Sequence, residues 1–286
     1  MQPFDSVARL EDAEGLDRFA GALRQLGQQV QPQQLRDLLH GVPLGHPMHP
    51  MLVQAPLGAW ISSAVLDAIP GMGRAARVLV GVGVLSAVPA ALSGVVDYSE
   101  THEQQQRVGV VHATLNSAAL LLYARSWWLR GKRRPLAGRA HALAGLTVVG
   151  VSGFLGGHMA YRQAVGANHV EDVPHRVEEG WRDLGPVVDL VEGEPVRRVV
   201  DDVPLFVLRR GAGDADIRVL AGLCSHLAGP LHEGELADGC VVCPWHGSTF
   251  DLETGKVVHG PATSPQPVFE TRVVAGRLEV RLPATD

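Results

Sequence analysis

Two short stretches near the C-terminus each place a thiol close to an imidazole. The first is Cys224-x-His226 and the second is Cys243-x-x-His246, with sixteen residues between them. Cysteine thiolates and neutral imidazoles are ligands that soft and borderline metals prefer. Neither pair can complete a coordination shell alone. The sequence therefore predicts one metal centre, built from both pairs.

The same stretches allow more than one kind of centre. Two thiols and two imidazoles match a [2Fe–2S] centre in which two histidines replace two cysteines on one iron. Cys240-x-x-Cys243 also has the spacing of a dithiol or zinc motif. A thioredoxin dithiol would open a helix in a βαβ unit, and Cys224-x-His226 is tighter than usual zinc spacing. We favour the two-iron centre and expect Cys240 to be a small buried hydrophobic residue.

A β-rich module must position these ligands. After about residue 186 the chain shows five short runs of β-forming residues with Gly, Asp and Pro between them. Ala275-Gly276 predicts a hairpin turn between the last two. The runs are VRRVV, PLFVLRR, DIRVLAG, PVFETRVV and RLEVRL. We predict a compact all-β domain over residues 186–286.

Both ligand stretches resemble the Rieske family. LCSHLAGPLHEGEL is similar to the first ligand loop of that family, and CPWHGSTFDLETG closely matches the second. The resemblance implies that Cys224 and Cys243 hold one iron and that His226 and His246 hold the other. It also implies that the Ser248 hydroxyl reaches a sulfur of the cluster.

One difference from other Rieske proteins indicates the branch of the family that this chain resembles. Rieske proteins of quinol-oxidising complexes carry a disulfide between the two loops. Gly229 or its neighbours and Trp245 stand at those places here, so no such bridge can form. The chain resembles the ferredoxin-type branch instead, which implies a lower reduction potential.

The resemblance implies single-electron transfer between a membrane or soluble donor and a partner oxidoreductase, rather than an enzyme with its own organic substrate. Three alternatives stay open: a component of a Rieske oxygenase, a quinol-oxidising system, or a membrane redox sensor. An oxygenase needs a second iron held by two histidines and a carboxylate. Forty residues follow His246, so we expect no such domain in this chain.

The centre of the chain is apolar. Four stretches of 17–19 residues, near 51–69, 78–96, 108–124 and 140–158, approach the length that crosses a bilayer. Gly and Ala are frequent in them, as in membrane helices that approach closely. A soluble helical bundle would show charges at every third or fourth position. The predicted fold is therefore an α-helical four-span transmembrane bundle over 42–162, followed by the all-β iron–sulfur domain.

The remaining segments are polar. Apolar residues three or four apart predict an amphipathic helical segment over 1–41, interrupted near Pro32. Residues 163–185 lack a sustained period and are interpreted as a linker. The N-terminus has no apolar stretch typical of a signal peptide. The net charge is −5, and basic residues form no stripe, so no nucleic-acid partner is expected.

Charge in the loops orients the bundle. Residues 130–139 carry five Lys or Arg, and Arg74 and Arg77 lie in the loop after the first stretch. The loop before Arg107 is otherwise free of basic residues. The positive-inside rule places the first two loops in the cytoplasm, with the N-terminus and the β domain on the same, extracytoplasmic side of the cell membrane. Asp67 is expected to pair with Arg74 or Arg77.

Several histidines fall at one depth of the bundle. His46 and His49 precede the first stretch, His112 lies near the start of the third, and His158 near the end of the fourth. They are interpreted as interfacial residues, as a haem b site with His112 and His158 as ligands, or as a quinone or metal site. The bundle also resembles an uncharacterised bacterial four-helix membrane domain introduced by G-H-P-x-H-P, here GHPMHP.

Overall fold

The computed structural model of the chain describes residues 3–211, 213 and 216–283. These residues form two compact units. One contains the residues up to Leu39 together with Pro47–Val165, and the other contains His40–His46 and the residues from Gly166 onward. The first unit is helical and the second is built from β-strands with short helical turns.

Eight α-helices begin in the described part of the N-terminal half. Pro32 separates α2 from α3, as predicted, and a short 3-10 turn at Glu14–Leu16 also separates α1 from α2. Gly41 follows α3 with φ of 94°, a conformation that suits glycine. The helices are α1 Pro3–Glu11, α2 Asp17–Gln28, α3 Gln33–His40, α4 Met48–Leu52, α5 Gln54–Asp67, α6 Gly73–Tyr98, α7 Glu103–Gly131 and α8 Pro135–Tyr161.

Two of these helices, α6 and α8, are long and apolar enough to cross a membrane within the described residues. They contain the predicted stretches 78–96 and 140–158. The stretch 51–69 forms α4 and α5 instead, and the 14 residues of α5 span only about 21 Å. Helix α7 has 29 residues but opens with the polar run EQQQR. The expectation of four strongly apolar spans is thus met by two helices.

Glycines let aromatic rings pack between the helices. A Cβ placed on Gly83 of α6 would lie 2.2 Å from Nε1 of Trp60 in α5. Trp60 stacks on Tyr123 of α7 with ring centroids 4.1 Å apart. A Cβ on Gly145 of α8 would lie 2.9 Å from the Tyr123 ring. Four helices therefore meet around one stacked aromatic pair.

An ion pair joins three helices at the end of α5. Arg130 of α7 donates to both carboxylate oxygens of Asp67, at 2.7 and 2.5 Å, and Nε of Arg139 lies 3.4 Å away. The sequence predicted Arg74 or Arg77 as the partner, and this was wrong. Helix packing brings Arg130, which lies 63 positions from Asp67 in the sequence, into contact with its carboxylate.

The described residues of the second unit form two antiparallel sheets, of six and four strands, with orders β1-β10-β9-β4-β3-β2 and β5-β6-β7-β8. The five predicted runs form β2, β3, β4, β9 and β10, and Ala275-Gly276 makes the predicted turn with positive φ. The strands are β1 Arg182–Pro186, β2 Val196–Val200, β3 Val203–Arg209, β4 Ile217–Ala221, β5 Glu235–Ala237, β6 Cys240–Val242, β7 Thr249–Asp251, β8 Val257–His259, β9 Val268–Val274 and β10 Arg277–Arg281.

Strand β3 separates two hydrophobic clusters. Successive side chains point to opposite faces of a sheet. Leu205 and Val207 join the cluster of the large sheet, while Phe206 and Leu208 join a second cluster, which includes the two cysteines of the predicted metal centre. The cysteines of the predicted metal centre therefore pack against a buried apolar layer.

The stretch 163–185 differs from the predicted linker. It contains a short helix, α9 Val173–Arg176, and the start of β1. Val170, Val173 and Val177 are buried in the large-sheet cluster. These valines are three and four residues apart, but charged residues surround them in the sequence. The sequence therefore did not indicate that this segment has a buried face.

Candidate metal centre

Two tight loops carry the four candidate ligands. Cys224 lies just after β4, and its N–H donates to the carbonyl of Gly229 at 2.7 Å. Cys243 follows β6 directly, and its N–H donates to the carbonyl of Ser248 at 2.8 Å. The N–H of Gly247 returns to the carbonyl of Cys243 at 3.0 Å. Each loop thus turns the chain back on itself around its cysteine.

The four side chains form two pairs. The thiols of Cys224 and Cys243 are buried and hydrogen-bond to each other. The rings of His226 and His246 lie edge to face, with centroids 5.1 Å apart, and both residues are half-buried. Among the described residues no three His, Cys, Asp or Glu side chains converge on a site for a single ion. Soft donors form one pair and imidazoles form the other.

Hydrogen bonds prepare the second thiol for ligation. The pKa of Cys243 is lowered to about 7, chiefly by the hydrogen bond from the Cys224 side chain and also by the N–H groups of Trp245 and His246, while burial opposes them. The pKa of Cys224 is raised, first by its hydrogen bond to Cys243 and then by burial. Since the thiolate is the metal-binding form, Cys243 is close to its ligating state near neutral pH.

Ser248 lies beneath the thiol pair. Its hydroxyl hydrogen-bonds to the sulfur of Cys224 and accepts the N–H of Ala262 at 3.0 Å. Both Ser248 and Ala262 are buried. Hydrogen bonds to ligand sulfurs tune a bound centre, so Ser248 can act on it without being a ligand.

Gly229 leaves room between the loops. A Cβ at this position would lie 2.8 Å from Sγ of Cys243 and 3.2 Å from the Trp245 ring. Trp245 itself is 49% exposed. The close approach of the two loops therefore depends on a residue without a side chain.

Cys240 belongs to β6 and is not part of the thiol pair. It is buried, and its sulfur lies 3.8 Å from the carbonyl of Asp238. Burial raises the pKa of its thiol, with further contributions from the carboxylates of Asp251 and Asp238. These properties agree with the expected small hydrophobic residue.

Comparison with known proteins gives two matched regions. Residues 180–270 match the family described as the Rieske [2Fe–2S] domain. The anthranilate 1,2-dioxygenase ferredoxin subunit of Burkholderia cepacia is 37% identical over 102 residues, which are 36% of this chain and 92% of that protein. The chain belongs to the Rieske [2Fe–2S] family. Residues 45–169, ahead of the Rieske domain, match a family described as a predicted membrane protein (DUF2231).

Further relatives each match about a third of the chain. The 3-phenylpropionate/cinnamic acid dioxygenase ferredoxin subunit of Escherichia coli K12 is 35% identical over 99 residues, covering 34% of this chain and 90% of that protein. The solved ferredoxin of carbazole 1,9a-dioxygenase from Nocardioides aromaticivorans IC177 is 23% identical, covering 37% of this chain and all of that one with a TM-score of 0.34.

The Rieske domain implies a [2Fe–2S] cluster, and the residues present suit it. The paired thiols and paired imidazoles supply two soft and two nitrogen donors, the ligand set of a Rieske centre. The N–H groups aimed at Cys243 and the hydroxyl on Cys224 supply the surrounding hydrogen bonds. The ferredoxin relatives support an electron-transfer role.

The predicted haem pair has other partners in the helical unit. Nδ1 of His112 lies 2.8 Å from the carbonyl of Ser152, and its Nε2 lies 3.0 Å from the Asn116 amide. Nε2 of His158 lies 2.6 Å from a carboxylate oxygen of Glu11. Both nitrogens of His112 are thus engaged by neighbouring helix residues, and His158 contacts the N-terminal segment.

The two earlier histidines belong to different units. Nδ1 of His49 lies 2.8 Å from the carbonyl of Ala90, and a Cβ on Gly94 would touch the His49 ring. His46 is exposed and belongs to the second unit. A haem or quinone site at these histidines stays a prediction.

Sequence reasoning missed one contributor to the site and one segment of the second unit. Ala262 acts through its backbone N–H, which no side-chain pattern indicates. The segment 40–46 joins the second unit although it precedes the apolar helices. Only its Gly41 and Pro43, which interrupt the helical pattern, distinguish it in the sequence.

Proposed function

We propose that the chain is a membrane-bound Rieske protein that passes single electrons from a membrane or soluble donor to a partner oxidoreductase. When bound, a Rieske cluster supplies one-electron redox chemistry. The observation that supports this most strongly is the pairing of two buried thiols beside two half-buried imidazoles on adjacent loops.

In this proposal each residue of the site has a distinct task. Cys224 and Cys243 hold one iron from within the apolar layer, where water is excluded. His226 and His246 would hold the other iron at the more exposed edge, the side that a redox partner can reach. Ser248 would stabilise the reduced, more negative state of a bound cluster through its hydrogen bond to the sulfur of Cys224.

The apolar surface of the helices supports membrane attachment. Of the most apolar 18-residue stretch of α6, only 22% is buried in the protein. Its exposed side chains, such as Val78, Leu85 and Leu92, recur about every seven residues, and Leu85 is 75% exposed. Soluble proteins rarely expose such continuous apolar surface to water. We propose that this face of α6 contacts lipid.

We propose that the other helices complete four spans. Leu57, Ile61 and Val65 form an exposed stripe along α5, and Leu121 of α7 is exposed as well. Helices α4 and α5 run almost continuously over 48–67, since Val53 between them donates its N–H to the carbonyl of His49 at 3.1 Å and accepts the N–H of Leu57 at 3.2 Å. Twenty helical residues extend about 30 Å, the thickness of the hydrocarbon core.

Orientation and partner follow from charge and from the relatives. The basic loop at 130–139 favours the cytoplasm, which leaves both the N-terminus and the Rieske domain extracytoplasmic. Trp127 and Trp128, beside this loop, are exposed as expected of residues at a lipid interface. The relatives are ferredoxin subunits of dioxygenases, so we propose an oxidoreductase as the protein partner.

A potentiometric titration of the purified full-length protein tests the electron-transfer proposal. The visible spectrum should follow a one-electron transition with one cluster per chain. In His246→Ala this transition should disappear, while Cys240→Ser should keep it. A two-electron transition, or an unchanged transition in His246→Ala, would refute the proposal.

A further inference from the structure

A segment from the N-terminal half packs within the Rieske unit. Residues His40–His46 belong to that unit, and the 3-10 turn Val42–Leu44 packs against β8. His40 is only 2% exposed, although its helix α3 is otherwise largely polar. Burying a histidine at this position requires specific contacts.

Gly260, just after β8, receives these contacts. A Cβ placed on Gly260 would lie 3.1 Å from Cδ2 of His40 and 3.1 Å from Cγ2 of Val42. The two side chains thus close directly over the backbone at Gly260. They fill the space beside Gly260 at the start of the loop that follows β8.

The loop that begins at Gly260 leads to the cluster ligands. Two residues after Gly260, the N–H of Ala262 donates to the Ser248 hydroxyl at 3.0 Å, and that hydroxyl bonds to the sulfur of Cys224. Ala262 and Ser248 are both buried. A shift of the loop therefore weakens a bond that ends on a ligand.

We propose that His40 is a positioning residue for the redox site, acting through Gly260, Ala262 and Ser248 on the reduction potential. The proposal rests on the proposed function. A hydroxyl that accepts an N–H is a stronger donor, because hydrogen bonds in a chain polarise one another. A stronger bond to sulfur favours the reduced, more negative state and raises the potential.

The sequence position of His40 gives this contact a wider consequence. Helix α3 ends at His40 and α4 begins at Met48, so the segment continues at both ends into the helical unit. The potential of the cluster thus depends on residues that come directly before the apolar helices. A ferredoxin domain expressed alone would lack this control.

The test compares reduction potentials of full-length variants by EPR-monitored titration. His40→Ala should have a lower potential than the wild type, by less than the drop in Ser248→Ala. In the Ser248→Ala background, His40→Ala should produce no further shift, because the relay is already broken. His175→Ala is the matched control, since this histidine of the same unit is 75% exposed and should leave the potential unchanged.

Gly260→Ala changes the same contact at its other partner. It keeps the proposal testable if His40→Ala does not fold. Its added methyl group should displace His40 and also lower the potential. Wild-type potentials in both variants with full cluster content would overturn the proposal, as would an undiminished shift in the Ser248→Ala background. Failure of the proposed function would appear differently, as absence of a Rieske signal in the wild type.

Discussion

Replacing Ser248 with alanine removes one hydroxyl that serves two neighbours. The sulfur of Cys224 loses a hydrogen bond, and the buried N–H of Ala262 loses its acceptor at 3.0 Å. The change adds no volume and leaves all four proposed ligands in place. Its effects can therefore be assigned to the two lost bonds.

The magnitudes follow from these bonds. A hydrogen bond to a charged group contributes about 1.5–3 kcal/mol, and it is stronger in the reduced state. If about 1 kcal/mol of it differs between the two redox states, the potential falls by roughly 40 mV, since 59 mV corresponds to a tenfold change for one electron. The unpaired N–H of Ala262 should cost a further 1–3 kcal/mol, roughly, in the free energy of unfolding.

EPR-monitored titration and thermal unfolding measure the two effects separately. Ser225→Ala is the matched control, because the buried Ser225 hydroxyl donates to the carbonyl of Ser264 at 2.7 Å rather than to a sulfur. It should lower stability without an equal fall in potential. An unchanged or higher potential in Ser248→Ala, or an equal fall in Ser225→Ala, would refute this reasoning.

The other predictions concern ligation, thiol reactivity and helix packing. His246→Ala should lose the nitrogen-coupled two-iron EPR signal, whereas Cys240→Ser should keep it; the opposite pattern would show that the ligands are misassigned. Because burial raises the pKa of Cys240, its alkylation in the holoprotein should be slow at neutral pH and accelerate as pH rises, and a pH-independent rate would contradict this. Gly83→Ala places a methyl 2.2 Å from Trp60 and should cost about 1–3 kcal/mol, seen as a lower Tm, while Gly58→Ala faces open space and should not.

The chemistry of the site could be predicted because it depends on rare residue types at fixed spacing. Three cysteines and two Cys-His pairs leave few arrangements, and the loops around Cys224 and Cys243 carry their own turn residues. The Ala262 N–H and the packing of His40 could not be predicted in this way. A backbone donor has no sequence pattern, and His40 contacts residues more than two hundred positions away.

Some parts of the fold could also be predicted from the sequence and others could not. Long runs of alternating or apolar residues predicted the major strands and helices α6 and α8, since those runs determine which face is buried. The three-residue strands β5–β8 were missed because so short a run has no period. The partner of Asp67 was missed for another reason, since Arg130 reaches it only through the packing of α7 against α5.

The most direct test of the account is an EPR spectrum of dithionite-reduced, carbonate-washed membranes that contain the full-length protein, with nitrogen couplings measured by pulsed methods. We expect a two-iron signal with couplings from two imidazoles, retained in the membrane pellet and lost in His226→Ala. A signal that washes into the supernatant, or one without nitrogen couplings, would contradict a membrane-bound Rieske protein.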